Sequence, residues 1–239
     1  MIVAISGKSK SGKDFSAKII QEYVKKDWKI VKFADKVKDI VCILLNCTRE
    51  DLEREDFKEQ ELPSKWWVWV NKETNEIIPY YQATGSKDCF LRKTTPRILM
   101  QIIGTECGIK LIHPSVWAQS TLEKYTPDQN WIITDVRFLA ELKELEHVEP
   151  NYLLIRVDRP TELRYPELWE EYLESDFTEF SEWEEFLKSK LLFNVVYHRS
   201  ETELDSYPFK YKIEWKQPEE LVDQVKRVLI TETLMNETS

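Results

Sequence analysis

An apolar strand pattern, Ile2-Val3-Ala4-Ile5, runs into Gly7-Lys8-Ser9-Lys10-Ser11-Gly12-Lys13 and from there into a helical pattern. Few folds accept that order. The spacing G-x-x-x-x-G-K between a strand and a helix is that of a phosphate-binding loop. Its glycines let backbone N–H groups turn inward around phosphate oxygens, the helix N-terminus adds its dipole, and Lys13 reaches the β and γ phosphates as a point charge. Gly7, Lys8, Ser9, Lys10, Ser11, Gly12, Lys13 and Asp14 are therefore the candidate ATP-binding residues. Asp14 stands where a Ser or Thr hydroxyl usually meets Mg²⁺, and a carboxylate there either binds the ion directly or holds one of its waters. The other reading of this run is a glycine-rich turn in a Rossmann-like fold.

The alternation continues along the chain. A helix from about residue 13 to 26 turns Phe15, Ile19, Ile20, Tyr23 and Val24 inward, and a strand follows at 30–34. A second helix carries Val37, Ile40, Val41, Leu44 and Leu45. Further on come a strand at 131–134, a helix with Leu139, Leu142 and Leu145, a strand at 152–157, a late strand at 209–213 and a C-terminal helix with Leu221, Val222, Val225, Val228 and Leu229. This order predicts an α/β fold of the P-loop NTPase kind, a mostly parallel sheet with helices on both faces. The expectation is one kinase domain over 1–239, interrupted at two places. Residues 57–92, with Trp66, Trp67, Trp69, Pro79 and a polar turn from Lys72 to Glu76, read as a hairpin excursion. Residues 161–193 are acidic and aromatic, with Trp169, Tyr172, Phe177, Phe180, Trp183 and Phe186, and read either as a mobile lid or as a packing insertion.

Charge narrows the partners. Thirty-four Lys and Arg against 43 Asp and Glu give −9, which argues against a broad nucleic-acid surface. Lys8, Lys10, Lys13, Lys32, Lys36 and Lys38 cluster near the first two strands, a local positive funnel suited to small anionic substrates. The four cysteines show no C-x-x-C spacing and follow no secretory leader, so they read as reduced thiols of a cytoplasmic protein. No apolar stretch approaches the roughly 20 residues of a membrane span.

Three further blocks carry chemistry. In Pro96 to Glu106, a spacing of about 100° per residue puts Arg97, Gln101, Gly104 and Thr105 on one stripe, opposite Ile98, Leu99, Ile102 and Ile103. That stripe offers a phosphate clamp, an amide that can read a base or sugar, and room for close approach; an ordinary solvated face has the same pattern. The strand ending Thr134-Asp135-Val136-Arg137 places a carboxylate at the sheet edge where open α/β sheets bind ligands. Asp135 suits a Walker-B-like acid near Mg²⁺ and Arg137 a stabiliser of the transferred group, or the two are a helix cap and its ion pair. Last, Arg159 ends a strand upstream of His198-Arg199-Ser200-Glu201, where His198 touches a phosphate, orients Glu201 or is simply structural.

Together these pieces resemble the phage-type deoxynucleoside monophosphate kinases. The matching residues are Ser6-Gly7 through Lys13-Asp14, Phe33-Ala34-Asp35 with Lys38, Arg97-x-x-x-Gln101-x-x-Gly104-Thr105-Glu106, Trp117, Asp135-Val136-Arg137-Phe138, Arg156-Val157-x-Arg159-Pro160 and His198-x-Ser200-Glu201, in family order over nearly the whole chain. The stretches 57–92 and 161–193 depart from the family pattern. The resemblance implies transfer of the γ-phosphoryl group of ATP to a deoxynucleoside monophosphate with Mg²⁺, and a homodimer. It implies Lys13, Asp135, Arg137 and Arg159 as catalytic, Asp14 and Asp135 as metal ligands, and Asp35, Lys38, Arg97, Gln101, Gly104, Thr105, Trp117, His198 and Glu201 as substrate-binding. The loop is also similar to that of animal-type phosphomevalonate kinases, and a nucleotide-binding regulator without transfer chemistry is a third class.

Overall fold

The computed structural model describes residues 1–24, 27–74, 76–83, 86–175, 182–183, 186–187 and 198–236. Its strands are β1 (Ile2–Ser6), β2 (Trp28–Val31), β3 (Val68–Asn71), β4 (Cys89–Arg92), β5 (Asn130–Val136), β6 (Leu153–Asp158) and β7 (Tyr211–Glu214). Five of them form one sheet in the order β2-β5-β1-β6-β7, every neighbouring pair parallel. The expected α/β architecture is what is found.

Alternation along β1 explains the layers. Val3 and Ile5 face one side and join a core with Ala17, Ile19 and Ile20 of the helix Lys13–Val24 and with Leu221, Val225, Val228 and Leu229 of the helix Pro218–Asn236. Ile2 and Ala4 face the other side, against Ala118 and Leu122 of the helix Val116–Leu122 and Leu142 and Leu145 of the helix Leu139–Val148. A strand buried on both faces needs the near-continuous apolar run that β1 and β5 possess. Because all strands point the same way, Ser6 lies beside Val136 and Arg156, and Asp158 beside Glu214. The segments after β1, β5, β6 and β7 thus leave the sheet at one edge. That register, more than any single motif, builds the site.

The strand read at 30–34 lies at Trp28–Val31, and the β1–β5 ladder carries an irregularity the sequence reading did not include. β2 stops at Val31, short of Ala34, because the Phe33 N–H donates to the Asp135 side chain at 2.9 Å and leaves the strand ladder. Between Ala4 and Ser6 the pairing slips, Ala4 facing Ile133 and Ser6 facing Val136, so β5 carries one extra residue at Thr134-Asp135. Bulges of this kind re-aim side chains beside functional sites.

The chain divides into two compact units, Met1–Phe33 with Ser115–Ser239, and Ala34–Pro114. The excursion read at 57–92 is part of this second and smaller unit, which has a core of its own: Val41, Leu52 and Leu99, with Phe57, Leu62, Trp66, Met100 and Ile103 packed on it. β3 pairs antiparallel with β4, and the polar turn read from Lys72 to Glu76 directly follows β3, closed by Asn71 N–H on the Glu76 carbonyl at 2.9 Å so that Ile77 bridges to Val70. Thr95 caps the helix Pro96–Gln101, with proline at its first turn. From Ile102 to Ile112 the helix continues as a π-helix, ending with the His113 N–H on the Gly108 carbonyl five residues back, so the 100° stripe read along 97–105 stops at Gln101. In 161–193, Tyr165, Leu168, Trp169, Tyr172, Trp183, Phe186 and Leu187 form an aromatic cluster; Phe177, Phe180 and much of the lid reading lie outside the described residues.

Candidate active site

The phosphate loop is held open by backbone geometry that glycine alone tolerates. Gly12 has φ +97°, and a Cβ there would sit 2.8 Å from the Trp215 ring and 3.0 Å from Leu221. At Gly7 a Cβ would fall 2.3 Å from the Val157 carbonyl of the adjacent strand. Lys10 takes φ 60°, turning the loop crown while its ammonium lies 4.7 Å from the Tyr165 ring centroid. From behind, the Trp215 indole N–H donates to the Ser11 carbonyl at 2.7 Å. Trp215 was not among the residues singled out from sequence; its place directly after β7, as Arg159 follows β6, is the signal that marks it.

Lys13 is buried and donates to the Lys8 carbonyl at 2.6 Å, an ammonium curled over its own loop. Burial, and then the neighbouring Arg137 cation, lower its pKa to about 7. Asp14, exposed, pairs with Lys32 at 2.8 Å and accepts from the Thr134 hydroxyl at 3.1 Å. Partial loss of hydration against its neighbours opposes its charge, yet the Lys32 hydrogen bond and charge outweigh it and hold the carboxyl below its usual range. Lys32 was read only as part of the positive funnel and Thr134 only as part of its strand; their pairing with Asp14 was not legible, since the bulge in β5 and the β2–β5 pairing bring them there.

Asp135 is buried and anchors the Phe33 N–H, so the carboxylate at the end of β5 fixes where β2 leaves the sheet. Two residues on, Arg137 is held at both ends. Its backbone N–H donates to Glu141 Oε2 at 2.7 Å, and Phe138 N–H donates to the same oxygen at 3.0 Å. Its guanidinium pairs with Glu201 and donates to the Ser200 carbonyl at 2.9 Å. Arg137 therefore pairs with Glu201, and the capping of the following helix is done by Glu141, not Asp135. Burial first, with the Asp135 charge adding, pushes Glu141 up to about 8 against its two backbone hydrogen bonds.

Glu201 is 8% exposed and gives its second oxygen to the Ser9 N–H at 2.6 Å. Burial opposes its charge, but Arg137 and Lys13 outweigh that and hold it below the usual carboxylate range. His198 caps the turn that carries Glu201: its Nδ1 accepts from Ser200 N–H at 3.2 Å, and its carbonyl accepts from Glu201 N–H at 2.7 Å. The geometry of His198 is that of a cap on the turn that carries Glu201, which fits the structural reading and an indirect part in placing Glu201.

Beside this cluster, still within the same unit, lies a cavity of about 720 Å³ lined by Lys8, Arg159, Arg164, Asp205, Trp215 and others. The Arg159 guanidinium stands 4.4 Å from the Trp215 ring centroid. Arg164, 3% exposed, donates to the Ser9 carbonyl at 3.1 Å, and the buried Nε atoms of Arg159 and Arg164 have no partner among the described residues. A polar cavity flanked by a flat indole and two guanidinium groups suits a planar base with anionic substituents.

Within the unit Met1–Phe33 and Ser115–Ser239 the fold thus brings Lys13, Asp14, Asp135, Arg137, Arg159, His198 and Glu201 to one sheet edge. Trp117, in the same unit, packs on the core face beside Ala118 and Leu122. The remaining residues read from the sequence as substrate-binding lie in Ala34–Pro114. Asp35 pairs with Arg49 at 2.6 Å, Lys38 with Glu53, and Arg97 with Glu55 at 2.6 Å and with Glu59. Gln101 is half-buried, and Thr105 is buried. Gly104 faces Val37, which an added Cβ would meet at an ordinary 3.7 Å, so the open side read from sequence is turned toward the helix Asp35–Leu45.

No group of three or more His, Cys, Asp or Glu residues is arranged to hold a metal ion among the described residues, and no helix among them is long and apolar enough to cross a membrane. No known family's sequence model matches the chain. It is similar to the deoxynucleoside-5′-monophosphate kinase of Escherichia phage T5, 26% identical over 194 residues, which cover 66% of this chain and 77% of that protein. The resemblance read from the motifs is thereby borne out. Among solved structures it is similar to TT1252 from Thermus thermophilus, with a TM-score of 0.45 and 14% identity over 97% of each chain.

Proposed function

We propose that this chain is a nucleotide kinase that transfers the γ-phosphoryl group of ATP to a deoxynucleoside 5′-monophosphate, giving the diphosphate and ADP. The observation that carries the reading is Lys13, buried in a phosphate loop, with Arg137 and Asp135 at the same sheet edge. The phage T5 relative supports the acceptor class.

Phosphoryl transfer proceeds through a loose transition state with charge spread over the moving group, so the protein contributes positioning and charge stabilisation. Lys13 and the loop amides hold the donor phosphates, and Arg137 neutralises charge as the group moves. Arg159, read from sequence as catalytic, lies against Trp215; that position favours a role at the donor's base and flanking phosphates. Arg97 with Gln101 is the proposed acceptor clamp, and Arg97 exchanges Glu55 and Glu59 for the acceptor phosphate.

Mg²⁺ fits the donor set. It keeps several waters and takes one or two carboxylates beside substrate phosphates, and Asp14 with Asp135 supplies hard oxygen donors. Asp14 and Asp135 would hold the ion, which would supply charge neutralisation at the donor phosphates.

The test measures ADP formation with each deoxynucleoside monophosphate, the ribonucleoside counterparts and phosphomevalonate. At least one deoxynucleoside monophosphate should be the best acceptor. A preference for phosphomevalonate, or ATP hydrolysis that no acceptor stimulates, would overturn the proposal.

A further inference from the structure

We infer that Glu201 is a positioning residue that aims Arg137 and ties it to the phosphate loop, and that it does not contact substrate itself. The inference rests on Arg137 acting on the transferred group, as proposed above.

Both oxygens of this carboxylate are engaged inside the protein. Oε2 accepts the Ser9 N–H at 2.6 Å, a loop amide 192 residues away in sequence, and Oε1 pairs with Arg137. A residue that reads substrate needs at least one oxygen turned to solvent, and Glu201 is 8% exposed. An anion pushed toward an anionic triphosphate would also repel it, whereas one seated behind the arginine lends its charge to the cation's orientation. Both acceptors for the guanidinium, Oε1 and the Ser200 carbonyl at 2.9 Å, bind Nη1. Nη2 and Nε then present the outer side of the fork to a phosphate, the bidentate geometry for which arginine is suited.

The support is rigid. The helix Arg199–Thr202 is one turn, capped by the His198 side chain, and Arg199 and Glu203 pair along it. At the other end Glu141 fixes the Arg137 backbone. A guanidinium held at its backbone and on one nitrogen has little freedom left, and preorganised charge of this kind is what stabilises a transition state without reorganisation cost. Glu201 links the two phosphate-binding parts, so a shift of the loop is felt by the arginine.

The test uses the full-length protein with ATP and its best acceptor. Glu201→Gln keeps the shape and the Ser9 hydrogen bond but loses the charge on Arg137. It should lower kcat by about 100-fold, the cost of a misplacement near 1 Å, while the KM for ATP stays within about threefold. In an Arg137→Ala background the same change should cost less than about twofold, since the group that it positions is gone. Glu201→Asp, too short to span both donors, should fall between wild type and Glu201→Gln, and serves if the glutamine variant folds poorly. A wild-type kcat in Glu201→Gln, an equal loss in the Arg137→Ala background, or a KM effect without a kcat effect would overturn the inference. Arg137→Ala at wild-type activity would instead remove the role given to Arg137.

Discussion

Replacing Gly12 by alanine should damage the protein by an amount that the structure lets one work out. Two terms add. Holding an L-residue at φ +97° costs about 1–2 kcal/mol. The new methyl lies 2.8 Å from Trp215 Cζ2 and 3.0 Å from Leu221 Cδ2. The ring has nowhere to go, being 7% exposed and fixed by its N–H on the Ser11 carbonyl at 2.7 Å. Overpacking of that kind costs about 1–3 kcal/mol. The sum, about 2–5 kcal/mol, corresponds to a fall in Tm of roughly 4–20 °C for a protein of this size. Thermal unfolding of Gly12→Ala, Trp215→Ala and the double variant checks both terms. With the indole removed, its share of the overpacking should vanish and the Gly12→Ala penalty should shrink toward the backbone term of about 1–2 kcal/mol, with Leu221 at 3.0 Å keeping the remainder. A single variant within 2 °C of wild type, or an undiminished penalty without the indole, would refute the account of why glycine stands there.

Lys13→Ala should lower kcat by about 1000-fold or more with the circular dichroism spectrum unchanged, because the charge acts on the transition state; a loss of only a few-fold would count against the loop assignment. Arg97→Ala should raise the KM for the monophosphate at least tenfold and leave that for ATP alone, with little change in Tm because its partners Glu55 and Glu59 are exposed; equal effects on both substrates would end the division between donor and acceptor residues. For pH, Glu141 is an acid whose folded pKa of about 8 exceeds its unfolded value near 4.5, so its stabilisation is complete below about 4.5 and is lost as pH rises through 8. Lys13, with a folded pKa of about 7 below its unfolded 10.5, has the opposite sign, stability rising from about 7 to 10.5. The difference in Tm between Glu141→Gln and wild type should therefore move in favour of the variant between pH 5 and 8, and a flat difference would show that Glu141 stays ionised.

What could be read from the sequence was local. The strand, the loop and the helix Lys13–Val24 are contiguous, and the inner strands β1, β5 and β6 declare themselves by apolar runs, whereas the edge strands β2 and β7 are shorter and mixed and were read with shifted bounds. Asp135 and Arg137 were legible because a strand end carries them to a predictable edge. Glu201's partners were not, since Ser9 lies 192 residues away and only the register of β1 with β6 and the turn at His198 bring the two together. Trp215 looked like one of nine tryptophans until β7 placed it behind Ser11. The stripe through 97–105 failed past Gln101 for a different reason: a 3.6-residue period presumes α geometry, and the hydrogen bonds from Ile102 onward are spaced otherwise. Glu141 carried no capping signal in the sequence, because Phe138 stands where a capping Ser or Thr would, and its link to the Arg137 backbone comes from the local turn alone.

The strand that appears first in the chain is the one that depends most on what comes later. β1 sits in the middle of the sheet, and its two neighbours start at Asn130 and Leu153. The loop it launches leans on Trp215 and Leu221. During synthesis from the N-terminus, the motif easiest to recognise is therefore among the last parts to acquire a shape, because its supports pair over long sequence separations. A chain stopped before residue 215 would carry every letter of the phosphate-binding signature and lack the wall behind it. Nucleotide binding should accordingly report completion of the sheet as well as the presence of the loop.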